Sequence, residues 1–85
     1  MTRVTLLTKP ACSLCDQAKL TLERVGGDYE LDIEVVPIHG EEGQALAAAA
    51  GVAFPPGVLL DGEPFSYGRL SERRLRRALE RSRSR

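Results

Sequence analysis

Two cysteines with two residues between them, Cys12-Ser13-Leu14-Cys15, stand between an apolar run and a helix-forming run, and few backbone paths satisfy that arrangement. Upstream, Arg3–Thr8 (RVTLLT) reads as a strand, with Val4, Leu6 and Leu7 placing apolar groups on both faces. Downstream, Leu14, Ala18, Leu22 and Val25 recur at spacings of four, four and three, which predicts a helix from about Ser13 to Val25. Gly26-Gly27 ends it. Positions i and i+3 of a helix share a face, with β-carbons about 5–6 Å apart. A disulfide takes α-carbons about 4.4–6.8 Å apart. The pair can therefore open and close with little backbone movement.

Beyond the glycines, Tyr29–Val36 alternates: Tyr29, Leu31, Ile33 and Val35 on one side, Glu30, Asp32 and Glu34 on the other. That pattern predicts a half-buried strand whose acidic side suits a sheet edge. Pro37–Gly40 reads as a connection, and His39 within it as a solvated loop histidine. Glu41–Ala50 reads as a helix with acids in its first turn, closed by Gly51. Gly57–Leu60 and Glu63–Tyr67 read as two strands joined by the Asp61-Gly62 turn. Ser71 caps a last helix whose inner face is Leu75, Ala78 and Leu79. The order is β-α-β-α-β-β-α, an α/β class. At 85 residues the chain holds one core, so residues 1–85 form a single domain, with 82–85 expected as a frayed tail.

Twelve basic and twelve acidic residues cancel, but they are not mixed. Residues 69–85 hold eight arginines against Glu72 and Glu80, net +6, and residues 1–68 are net −6. The bland reading is a solvated basic helix face, and the sharper one is docking on an acidic partner. No interleaved aromatics or glycine-rich motif accompany the arginines, so nucleic acid is not an expected partner. No apolar run nears the roughly 18–20 residues that cross a bilayer, and no membrane association is expected. The N-terminus lacks the basic and apolar pattern of a secretion signal, and the expectation is a cytoplasmic protein. Two cysteines and one histidine cannot supply a four-ligand zinc site.

The position of the cysteines carries chemistry. A thiolate at a helix N-terminus faces unpaired N–H groups and the positive end of the dipole. Cys12 would accept from the amides near Leu14 and Cys15, and Lys9 adds a positive charge. These favour the anion and should bring the thiol below its reference pKa of about 8.5, with Asp16 opposing part of the effect. Cys12 is then the attacking sulfur and Cys15 the resolving one. Other readings stand beside this one: two unrelated buried cysteines, a soft-metal carrier, or a structural staple. A disulfide closing so short a loop contributes only about 2 kcal/mol, a poor staple. Metal-carrying domains with the same motif continue β-α-β-β-α-β, whereas this chain ends on a helix. Dithiol–disulfide exchange is the reading the motif favours. Phe54-Pro55-Pro56-Gly57 is the second informative stretch. Pro56 must open a strand or lie on an edge, and on these residues alone a trans turn is the default.

Taken together, Thr8-Lys9-Pro10-Ala11-Cys12-Ser13-Leu14-Cys15-Asp16-Gln17-Ala18 and the stretch from Pro56 to Gly62 resemble the glutaredoxin-like branch of the thioredoxin fold, from Val4 to Leu79. The resemblance implies a four-stranded mixed sheet flanked by three helices, with the first and third strands central. It implies that Pro56 follows a cis bond and packs against the sulfurs, and that Pro55 meets the substrate chain. Pro55 has no N–H to offer, only its carbonyl. Cys12 carries over as nucleophile, Cys15 as resolving thiol and Lys9 as a charge beside the site. Ser13 and Leu14 stand where the family usually has Pro-Tyr and are expected at the substrate surface. Gly68 and Ser71 match in part the stretch that holds glutathione before the last helix, and Arg69, with Arg73, could grip a carboxylate. The implied substrates are protein or low-molecular-weight disulfides, in a role in cell redox homeostasis, acted on by a monomer with no tightly bound cofactor and no metal. The reductant is open between glutathione, another small thiol and a thioredoxin-type reductase. The alternative class is a non-catalytic binding module, either a soft-metal carrier or an adaptor.

Overall fold

Residues 1–83 are described by the computed structural model. Its elements run β1 (Thr2–Thr8), α1 (Ser13–Gly26), β2 (Leu31–Pro37), α2 (Glu41–Ala50), β3 (Gly57–Leu60), β4 (Glu63–Tyr67) and α3 (Glu72–Arg83). The strands form one mixed sheet in the order β2-β1-β3-β4. β1 pairs parallel with β2 and antiparallel with β3, and β3 pairs antiparallel with β4. The central pair is the one whose sequence is apolar on both faces. Val4 and Leu6 of β1 and Val58 of β3 point to one side, where Ala18, Leu22 and Val25 of α1 and Leu75 and Leu79 of α3 close over them. Leu7 and Leu59 point to the other side, where they meet Val36, Ile38 and the α2 side chains Leu46, Ala47 and Ala50. Leu6, Leu7, Leu22 and Leu75 are fully buried, and each such side chain contributes roughly 1.5–3 kcal/mol.

The β3–β4 hairpin turns on Asp61 and Gly62, both at positive φ (50° and 83°), as a two-residue turn requires. Asp61 also anchors the hairpin to β1: its N–H donates to the Arg3 carbonyl at 2.7 Å, and its Oδ1 accepts from the Arg3 N–H at 2.9 Å. Pro64 lies in β4, an edge strand, where a missing donor is tolerated.

Three expectations need correction. The apolar side of β2 is not the buried one throughout. Tyr29 and Leu31 pack on the α1/α3 core, but Ile33 and Val35 are 38% and 48% exposed, while Val36 is buried. β2 is an edge strand, and the helices on that face reach only its first end; α2 covers the opposite face at Val36 and Ile38. On α1, Cys15 and Thr21 join Ala18, Leu22 and Val25 in the buried stripe, and Leu14 is only half-buried. The last helix runs to Arg83, past the expected start of a frayed tail at Ser82; residues 84 and 85 lie outside the described residues. Arg83 is engaged there, with its guanidinium 4.4 Å from the centroid of the Tyr29 ring and Nη2 donating to the Asp28 carbonyl at 3.1 Å.

Candidate active site

β1 delivers the chain to the site. After Thr8 the connection exposes Lys9, Pro10 and Ala11, and Ala11 takes a left-handed conformation (φ 53°) that an alanine adopts only at a cost. The turn it makes brings Cys12 in at the N-cap of α1, with extended dihedrals (φ −123°, ψ 104°). Its carbonyl accepts the first helical bond from the Asp16 N–H at 3.1 Å, and its Sγ accepts from the Cys15 N–H at 3.1 Å. A sulfur thus takes the place usually held by a serine or aspartate oxygen at an N-cap. Cys12 is half-buried and Cys15 is buried (1% exposed). The two are joined as a disulfide, with α-carbons 5.2 Å apart. One sulfur is therefore within reach of solvent and its partner is sealed behind it.

The sheet brings a second loop to the same end. Leu7, near the end of β1, pairs with Gly57 at the start of β3, and Gly57 pairs with Tyr67 at the end of β4. The Pro55–Pro56 peptide bond is cis, and Pro56 is buried. The Pro56 carbonyl accepts from the Gly68 N–H at 2.8 Å, tying the two loops together. Gly68 needs its freedom: φ is 79°, and an added β-carbon would stand 3.3 Å from the Phe54 ring. Phe54 meets Tyr67 edge to face, centroids 5.1 Å apart. Both rings remain about half exposed (49% and 48%), so this end of the sheet carries an apolar lip.

Cys12, Cys15, Pro55, Pro56 and Gly68 thus gather at one end of the sheet. Lys9 and Ser13 are exposed and Leu14 is half-buried beside the cysteines. Arg69 is exposed where the chain enters α3. Ser71 follows, but its Oγ already accepts from the Arg74 N–H at 3.2 Å, the N-cap bond of α3. Reading the sequence missed Phe54 and Tyr67. A signal existed, since these are two of only four aromatic residues and both adjoin the proline and glycine of the loops. His39 is exposed in the β2–α2 connection, which leaves the sheet at the same end as β1, with the Ile38 N–H donating to the Thr8 carbonyl at 2.7 Å. Among the described residues no cluster of three metal-ligating side chains occurs, and no helix is long and apolar enough to cross a membrane.

Behind the site, α1 is held to α3 by a charged relay. Glu72 accepts from Arg24 at 2.9 Å and from Arg76 Nε at 2.9 Å, and Arg76 Nη1 reaches Asp28 at 2.8 Å. These guanidinium groups hold the Glu72 carboxyl below the usual carboxylate range, and Asp28 with Glu72 raises Arg76 further. The Tyr29 hydroxyl donates to Glu80 at 2.7 Å, which keeps the phenol protonated to higher pH than usual.

A β-α-β-α-β-β-α chain with this sheet order and a C-x-x-C pair capping its first helix is a thioredoxin-fold protein of the dithiol class. The chain belongs to the glutaredoxin-like domain family, which it matches over residues 3–80. Among solved structures it is similar to a mutant thioredoxin from Halobacterium salinarum NRC-1, with a TM-score of 0.71 and 24% identity over 94% of this chain and 73% of that one. It is also similar to Glutaredoxin 1 from Francisella tularensis complexed with cacodylate, with a TM-score of 0.53 and 16% identity over the full length of both chains. At these identities the likeness is one of fold. No protein of curated function matches the sequence.

Proposed function

We propose that this chain reduces protein or low-molecular-weight disulfides through Cys12 and Cys15, and so serves cell redox homeostasis. The observation that carries the reading is the asymmetry of the pair. Cys12 is the accessible sulfur and accepts the Cys15 N–H at a helix N-terminus, while Cys15 is buried. In the reduced protein the same N–H and the helix dipole favour the Cys12 thiolate. That thiolate attacks one sulfur of the substrate disulfide, and the other leaves as a thiolate that takes a proton from water. Cys15 then gives up its proton and attacks the Cys12 sulfur. The second substrate sulfur leaves reduced, and two electrons have passed from the dithiol to the substrate. A thiol donor returns the Cys12–Cys15 disulfide to the dithiol.

Half-buried Pro55 is where a substrate chain meets the second loop, buried Pro56 and Gly68 fix that loop from behind, and Lys9, Ser13 and Leu14 border the sulfurs. Pro55 offers only a carbonyl, so a bound chain must donate to it. The donor is glutathione or another low-molecular-weight thiol, with Arg69 positioned for a carboxylate and Ser71 shaping the helix start beside it; a reductase is the other source of electrons. The protein acts as a cytoplasmic monomer, with no metal and no tightly held cofactor in the exchange, and with neither nucleic acid nor membrane as a partner. Replacement tests the roles of the two sulfurs. Cys12→Ser should abolish disulfide reduction, and Cys15→Ser should accumulate a mixed disulfide visible by mass spectrometry. Full activity in Cys12→Ser would refute the assignment.

A further inference from the structure

α3 sorts its charges by direction. Toward α1, the charged side chains are engaged: Glu72 with Arg24 and Arg76, Arg76 with Asp28, Glu80 with Tyr29, and Arg83 with Tyr29. Outward stand Arg73, Arg77 and Arg81, all exposed, and none has a carboxylate or hydrogen-bond partner among the described residues. They recur every four residues, so they trace a stripe about 12 Å long that winds slowly round the helix. Arg69 stands exposed just before it and Arg74 beside it, with the Arg74 guanidinium over the Phe65 ring at 5.5 Å. Like charges four apart weaken a helix, so the stripe does nothing for the fold. The acids that could relieve it are turned to the other side of the same helix.

The chain enters α3 from the site end of the sheet. β4 ends at Tyr67 beside Phe54, and exposed Arg69 leads from that lip into α3. The first turn of α3 meets the last turn of α1 through Glu72 and Arg24, so the outward arginines continue from Arg69 along the molecule away from the sulfurs. We propose that this outer face of α3 is the docking surface for an acidic segment of a protein substrate, placed so that a disulfide beside that segment arrives at Cys12. The proposal rests on the exchange reading above and names its class of substrate. Acidic protein is favoured over nucleic acid because the chain as a whole is neutral, with the rest of it net −6. A long phosphate backbone would meet that repulsion, whereas a short acidic segment on one face does not.

Two synthetic peptides of equal length test this, each with one internal disulfide, one flanked by glutamates and the other by glutamines. At low salt the kcat/KM for the glutamate peptide should exceed that for the glutamine peptide by about tenfold or more, and the gap should close as salt rises. Arg77→Ala with Arg81→Ala, both remote from the sulfurs, should remove most of the gap and leave reduction of the glutamine peptide unchanged. Arg77→Lys with Arg81→Lys should keep it. Versions of both peptides with serines for cysteines, followed by fluorescence anisotropy, report docking without exchange. If the exchange reading fails, neither peptide is reduced, yet the glutamate version still binds. Equal rates and equal binding of the two peptides would overturn the docking surface. So would tighter binding of a single-stranded oligonucleotide, or salt-sensitive self-association by sedimentation that the double alanine variant abolishes, which would make a second copy the occupant.

Discussion

At Cys12 one backbone amide serves both the fold and the chemistry. The Cys15 N–H would be an orphan of the first helical turn, and the Cys12 sulfur satisfies it. The strained Ala11 conformation is what swings that sulfur into the cap. Gly68 makes a similar demand on the second loop, and it can be measured. Gly68→Ala should cost more than the ~1–2 kcal/mol of a left-handed alanine, because the new methyl group presses on Phe54. Gly51→Ala is the control: its φ is 71° but nothing lies within 4 Å, so it should show the backbone cost alone in urea unfolding. The cysteines, the proline and Gly68 were legible in the sequence because their chemistry or conformational range belongs to the residue type itself. Phe54 and Tyr67 were not, since whether an aromatic ring is core or lip depends on what the tertiary fold leaves open. Nor does an alanine announce a left-handed backbone.

Among the elements, the helices and strands were readable and their faces less so. Periodicity chose Leu14 for the buried stripe of α1, but the N-cap fixes the helix rotation and puts Cys15 inward. Alternation chose Ile33 and Val35 for the core, but only the tertiary fold tells an edge strand how far its covering helices reach. A glycine in α2 carried a signal that went unread. Gly43 is buried against the end of β2; an added β-carbon would run into the Pro37 carbonyl oxygen and stand 2.8 Å from the Ile38 α-carbon. A glycine inside a helix often marks such an approach. Gly43→Ala should therefore destabilise by about 1–3 kcal/mol despite alanine's better helix propensity. Gly26→Ala, with nothing near it at the end of α1, should cost little in the same thermal or denaturant melts.

For the whole molecule, charge is the organising quantity. The division into a net −6 body and a net +6 end is plain in the sequence. The sequence does not show which of those arginines are paired, because Arg76 reaches Asp28 and its neighbour Glu72 reaches Arg24, each 48 residues away in the chain. Arg24, Glu72, Arg76 and Asp28 join the helix that carries the sulfurs to the helix that carries the outward stripe. Glu72 titrates below its ordinary value when folded, so its stabilising effect is complete above the usual carboxylate range. That effect is lost as pH falls through the lowered value. Glu72→Gln should accordingly flatten the loss of stability on acidification, as followed by circular dichroism melts from neutral to acid pH, and an unchanged acid slope would remove the relay from the account.

The account depends on the reduced Cys12 sulfur being held as an anion by the first turn of α1. The direct measurement is the rate of iodoacetamide alkylation of the reduced protein against pH, with the modified residue identified by mass spectrometry. The expected result is modification at Cys12 first, with a midpoint below the thiol reference of about 8.5. A midpoint at or above that reference, or first modification at Cys15, would contradict it.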